Sequence, residues 1–182
     1  MRFGKDLIGK PIYSIVDGRY VGEVKDLYVN KDLYWMTGIH IGHEGFIKRK
    51  SLIIKRDNVV VFGIDAILVN DADVVREEKD VAELGKWLRL DKLRGREVDT
   101  TGGTRIGLIG DIIMGEEGHI TDFMLSKVFV EGPIADKGII PHGALIDTGN
   151  EDKIMTIDLP KVESLYQQEE ENNNNNNNKA VE

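Results

Sequence analysis

Residues 7–10 read Leu-Ile-Gly-Lys, and residues 93–96 read Leu-Arg-Gly-Arg. Each stretch is followed by a turn, Asp17-Gly18 in the first and Gly102-Gly103 in the second, and then by a glycine and an aspartate, Gly22…Asp26 and Gly107…Asp111. Gly9 and Gly95 lie 86 residues apart, while the pairs Gly22/Gly107 and Asp26/Asp111 lie 85 apart. The echo persists to the end of each stretch: Ile53-Ile54 matches Ile139-Ile140, and Ala66–Val69 matches Lys153–Thr156. An internal repeat of this length is a duplicated domain, because solenoid units recur every ~20–50 residues.

Both copies read as strands and turns. Pro11-Ile12-Tyr13 opens a short strand, and Asp17-Gly18 is a hairpin signal. Tyr20 to Val29 reads as one half-buried strand, with Gly22 placed as a bulge or a close backbone approach. In the run Leu33–Ile41, the residues Trp35, Thr37, Ile39 and Ile41 share a face under the period of two. Leu52-Ile53-Ile54, Val59–Phe62 and Ala66–Val69 follow, separated by turn residues. The second copy repeats the order with Glu97–Asp99, Arg105–Met114, Ile120–Leu125, Ile139-Ile140, Ala144–Ile146 and Ile154–Ile157. Five or six short strands per copy predict a mainly all-β chain of two small barrels or sandwiches.

The expected organisation is domain 1 over residues 1–70, a partly helical linker over 71–92, domain 2 over 93–162 and a disordered tail over 163–182. In the linker Val81, Leu84 and Leu88 have helical spacing, and Trp87 is expected to pack against one of the domains. After Pro160 the pattern stops, apart from one helical turn that Lys161–Tyr166 is able to add. Glu169–Glu171 and seven asparagines, Asn172–Asn178, offer nothing to bury.

The chain has no cysteine, which excludes disulfides, thiolate metal sites and cysteine nucleophiles. The first residues show no apolar stretch of the kind a signal peptide needs, and no uncharged apolar run approaches ~20 residues. A cytoplasmic protein is expected. The net charge of −8 argues against a general nucleic-acid binder. Residues 1–70 nevertheless carry 11 Lys/Arg against 8 Asp/Glu, whereas residues 93–162 carry 7 against 12. This asymmetry favours contact between the copies or between chains, or else reflects drift on two solvated surfaces.

In this order the motifs resemble the PRC-barrel domain: Leu7…Gly9-Lys10, Asp17-Gly18 and Gly22-Glu23-Val24-Lys25-Asp26, then Leu93…Gly95-Arg96, Gly102-Gly103 and Gly107-Leu108-Ile109-Gly110-Asp111. The resemblance covers about residues 5–70 and 92–159. The family is known from the cytoplasmic part of the photosynthetic reaction-centre H subunit and from the C-terminal domain of the ribosome-maturation factor RimM. It implies compact β-barrels used for protein–protein contact, without a shared active site.

The chemistry-bearing residues have ordinary roles open to them. His40 and His43 lie near Glu44, but in an extended segment they have opposite parity, so they read as exposed polar residues at a strand end rather than a zinc site. Gly102–Gly107 lacks the Lys-Ser/Thr of a phosphate loop and leads into a strand. His142 and Asp147 have no nucleophile set beside them. Gly9, Gly18, Gly22, Asp26, Gly95, Gly103, Gly107 and Asp111 read as turn and barrel residues. No catalytic residue, metal or cofactor is expected, and the chain reads as a non-enzyme. One segment stands out: Lys48-Arg49-Lys50 and Lys55-Arg56 place five cations within nine residues. They are candidates for an acidic partner, RNA or an anionic membrane surface, or for a guarded strand edge. The expected function is an adaptor that binds another protein of unknown identity, or itself. The alternatives are an RNA- or ribosome-associated factor and a membrane-surface adaptor.

Overall fold

The computed structural model describes residues 2–45 and 49–179, with side chains to Asn172. The chain divides into two compact units: unit 1 is Met1–Arg94 with Asp111–Thr121, and unit 2 is Gly95–Gly110 with Asp122–Glu182. In chain order the strands are β1 (Arg2–Phe3), β2 (Pro11–Ser14), β3 (Tyr20–Glu23), β4 (Asp26–Asn30), β5 (Met36–Glu44), β6 (Lys50–Lys55), β7 (Val59–Phe62), β8 (Ile67–Val69), β9 (Arg76–Glu77) and β10 (Trp87–Arg89). A one-turn helix α1 (Leu90–Leu93) leads to β11 (Glu97–Thr100), β12 (Arg105–Met114), β13 (Ile120–Val128), α2 (Pro133–Lys137), β14 (Ile139–Pro141), β15 (Leu145–Asp147), β16 (Ile154–Ile157) and α3 (Leu159–Lys179).

Unit 1 contains a four-stranded sheet, β3-β2-β8-β7, and a five-stranded sheet, β10-β4-β5-β6-β9. The stretch Tyr20–Val29, expected as one strand, is two: the chain leaves the first sheet after Glu23 and enters the second at Asp26. Val24 is the pivot, fully buried, with its N–H donating to the Lys10 carbonyl at 3.0 Å and its own carbonyl accepting from Gly9 at 2.9 Å. The face expected for Trp35, Thr37, Ile39 and Ile41 also differs. Trp35 lies in the turn before β5 and is 46% exposed, whereas Ile39 is fully buried. Leu33, at φ 58, swings its buried side chain inward and takes the anchoring position instead. Leu7, Ile12, Leu27, Ile53, Ile54 and Ile67 are likewise fully buried. Burial of apolar area on this scale is the main stabilising term in so small a unit.

The linker is partly helical, as expected, and its helical segments are short 3-10 turns (Ala72–Val74, Glu78–Asp80 and Ala82–Lys86). Val81 and Leu84 pack with Tyr28, Ile53 and Trp87, so the apolar side chains of the linker do meet a domain. Leu88, expected on the same helical face, lies in β10 opposite Val29. Gly85 contributes to this outcome, since glycine disfavours a continued α-helix by about 1 kcal/mol.

Unit 2 has the sheet order β14-β13-β12-β11-β16-β15, with β11 and β16 parallel. Here the strand equivalent to β3 and β4 is unbroken, and Gly107 explains how its partner comes so near: a Cβ there would lie 2.3 Å from the Lys127 carbonyl oxygen. Ile106, Ile109, Phe123, Ile140 and Ile157 are fully buried. Order continues past residue 162, where the tail was expected to begin. Val162 is fully buried, Tyr166 nearly so, and the Tyr166 hydroxyl donates to the Ile139 carbonyl. Burial pushes the Tyr166 phenol up to about 12. The first two turns of α3 are therefore docked, and after Tyr166 no described residue of the helix is buried. Tyr166→Phe is expected to cost about 1 kcal/mol by removing this bond while keeping the ring, read as faster amide exchange in residues 159–166.

Candidate functional site

The duplicated motif residues take equivalent places. Gly9 and Gly95 adopt φ +84 and +78, a conformation L-residues avoid. Each donates its N–H to the matching strand, Gly9 to Val24 at 2.9 Å and Gly95 to Ile109 at 2.7 Å. Gly18 and Gly103 sit in the two hairpin turns, donating to the Ser14 and Thr100 carbonyls. Gly22 faces Ile41 across ordinary contact distance.

Asp26 and Asp111 are both buried, and each accepts from the backbone of a segment that precedes the other repeat. Asp111 Oδ2 accepts from Lys5 N at 2.8 Å, and its Oδ1 faces Arg94 at 3.3 Å. Asp26 Oδ1 accepts from Leu27 N at 2.8 Å, while its Oδ2 accepts from Asp91 N at 3.4 Å and from Arg89 Nε at 3.1 Å. Burial pushes the Asp26 carboxyl up, against the lowering effect of the Leu27 N–H and Arg89. The same reciprocity appears in the strands. β10 pairs with β4, Leu88 opposite Val29 and Arg89 opposite Tyr28; β1 pairs with the outer part of β12, Arg2 opposite Met114 and Phe3 opposite Ile113. These partners obey the sequence offset of the repeat. Met36 N donates to Gly118 O and Ile120 N to Tyr34 O, both at 2.8 Å, around a bridge between Trp35 and His119. All of these contacts lie within unit 1.

The basic segment does not form one open patch. Lys50 pairs with Glu77 at 2.5 Å and Lys55 with Glu83 at 3.3 Å. Arg56 donates to the Glu117 and Val59 carbonyls and lies over the Phe62 ring. Lys48 lies outside the described residues. Arg49 is exposed and has no ion pair among the described residues.

The histidines depart furthest from expectation. His40 is buried, 2% exposed, rather than lying at an open strand end. His40 and His43 were expected to diverge, yet their rings lie 5.2 Å apart. The cause is a β-bulge: the β5–β6 register slips between His40 and Gly42, with Gly42 at φ +108. One extra residue reverses the alternation beyond it. The signal was present as a glycine inside a strand pattern. His40 Nδ1 lies 3.4 Å from Ser51 Oγ and 4.0 Å from Glu78 Oε1. Burial, then Arg89 and His43, lower its pKa to about 4. Among the described residues no group of three His, Asp or Glu is placed to hold a metal ion.

Exposed apolar side chains gather on the four-stranded sheet of unit 1. Tyr20 lies on end strand β3 and Val60 and Val61 on end strand β7, while Ile15, Val16 and Ile64 flank its turns. Among the described residues no helix is long and apolar enough to cross a membrane. A family model described as PRC-barrel domain matches the chain twice, over residues 1–76 and 88–163. No curated protein matches it.

Proposed function

The chain belongs to the PRC-barrel family, and from that premise we propose that it is a non-enzymatic, cytoplasmic interaction module that binds another protein or a second copy of itself. The observation that carries this reading is the four-stranded sheet of unit 1. Among the described residues each of its end strands pairs with one neighbouring strand only, and those strands bear the exposed Tyr20, Val60 and Val61, although at β7 Arg2 and Arg56 donate to the Phe62 and Val59 carbonyls. Such edges are templates for an added strand, and proteins that do not use them usually guard them with charge.

The test is capture by the wild-type chain and by Val60→Lys/Val61→Lys, together with sedimentation of each alone. A stoichiometric partner, or a dimer, that is lost in the variant supports the reading. A chain that stays monomeric at its highest soluble concentration and captures nothing overturns it. The RNA-associated and membrane-surface alternatives rest on segment 48–56, where Lys50, Lys55 and Arg56 are already engaged. RNA affinity falling steeply with salt, and lost when the five cations become Ser, would replace the adaptor reading.

A further inference from the structure

We propose that the first repeat carries an anion site: a cleft of about 630 Å³ lined by Lys25, His40, His43, Arg49 and Arg89 that binds a phosphate dianion of a small phosphate ester or a headgroup. The remaining described lining is Gly42 and Gly45. Among the described residues its lining holds three permanent cations, two imidazoles and no carboxylate. Ligand pockets for apolar molecules are lined mostly by hydrophobic and aromatic groups, and apart from the two imidazole rings none stands among the described lining residues. Guanidinium and ammonium groups converging with imidazoles are the donor set that recognises phosphate oxygens.

The cleft is built by specific backbone features. The break between β3 and β4 sets Lys25, whose N–H donates to the His40 carbonyl at 2.8 Å. The bulge at Gly42 turns His43 to the side of His40. The β10–β4 pairing sets Arg89, and Asp26 holds it through Nε at 3.1 Å. Glu23 holds Lys25 at 2.7 Å from outside the lining. Arg49 alone among the three cations has no ion pair among the described residues.

The second repeat provides an internal comparison. At the equivalent positions Gly110 stands for Lys25, Met124 for His40, Lys127 for His43 and Phe3 for Arg89. The fold therefore forms without this donor set, and the cleft is a property of the first copy. His40, 2% exposed, lines the cleft beside His43. The site is independent of the sheet edges invoked above.

Titration of the full chain with inorganic phosphate and with pyrophosphate, followed by the imidazole resonances of His40 and His43 and by calorimetry, tests the proposal. Saturable one-to-one binding is expected, weakened about tenfold or more in Arg49→Gln, and unchanged in Arg105→Gln, which removes a cation of unit 2. Arg49 is exposed and bonded to nothing described, so this variant leaves the fold intact. A second arm uses phosphatidylcholine vesicles with and without phosphatidic acid. Sedimentation only with phosphatidic acid, abolished by Arg49→Gln, assigns a lipid headgroup. Free-phosphate binding without sedimentation assigns a soluble ester. No saturable shift of either imidazole, or equal affinity in Arg49→Gln, overturns the proposal.

Discussion

Asp111→Ala lowers the free energy of unfolding by about 3 kcal/mol, at the lower end of what breaking a buried ion pair costs because the partner is partly hydrated. The carboxylate is 1% exposed and is held by Lys5 N and by Arg94, whose side chain is about one-third exposed. Removing it leaves the Lys5 backbone N–H without this acceptor and a guanidinium without its counter-charge. It also loosens the pairing of β1 with β12, because Lys5 lies in the 3-10 turn that follows that strand. Urea denaturation measures the loss. Glu97→Gln, which breaks the exposed pair with Arg105 at 2.7 Å, is the contrast and is expected to move stability by under about 1 kcal/mol. Equal effects of the two substitutions would show that burial of Asp111 is not what gives it its weight.

Acidification is the second large effect. His40 is held neutral in the fold, its pKa lowered to about 4 from the ordinary value of 6.5. Between these values the unfolded chain takes up a proton that the native chain does not, so stability falls as pH falls through this window. The full loss is roughly 3 kcal/mol when pH reaches the lower limit. The groups around the ring are Arg89 and His43, which disfavour its charge, and Asp91 and Glu78, which favour it. Asp26 works in the opposite sense: its raised pKa means the native chain is protonated first, so its contribution to stability grows with acid. The two are separated by comparing the wild type with His40→Gln between pH 7 and pH 5, where the imidazole dominates. The variant is expected to have the flatter stability profile. Parallel profiles would place the acid sensitivity elsewhere.

Much of the fold is legible in the sequence because glycine and aspartate mark positions that side-chain chemistry alone fixes. Gly9 and Gly95 need a left-handed backbone, and Asp26 and Asp111 need donors, so both pairs survive duplication as recognisable letters. The strands that escaped notice are those with no local signature. β1 and β10 are two and three residues long, too short for any period, and the partner of β1 lies more than a hundred residues away in the chain. Val24-Lys25 and Leu33–Trp35 look strand-like because alternation reports which residues are apolar, and not where the chain changes sheet. The cationic cleft was hidden for a related reason. Its members come from positions 25, 40, 43, 49 and 89, and the bulge that joins the two histidines inverts the parity from which their separation was inferred.

The reciprocal pairing of β1 with β12 and β10 with β4 bears on how such a chain arises. A polypeptide holding a single repeat would leave its own leading strand and its own buried aspartate unmet. It would regain both by trading that strand with an identical neighbour, the closed exchange of a homodimer. Residues 71–92 convert that encounter from a matter of concentration into an intramolecular one. Once tethered, the halves need not stay alike: one carries Gly110 and Met124 where the other carries Lys25 and His40, so a framework of repeated pairing supports an asymmetric surface.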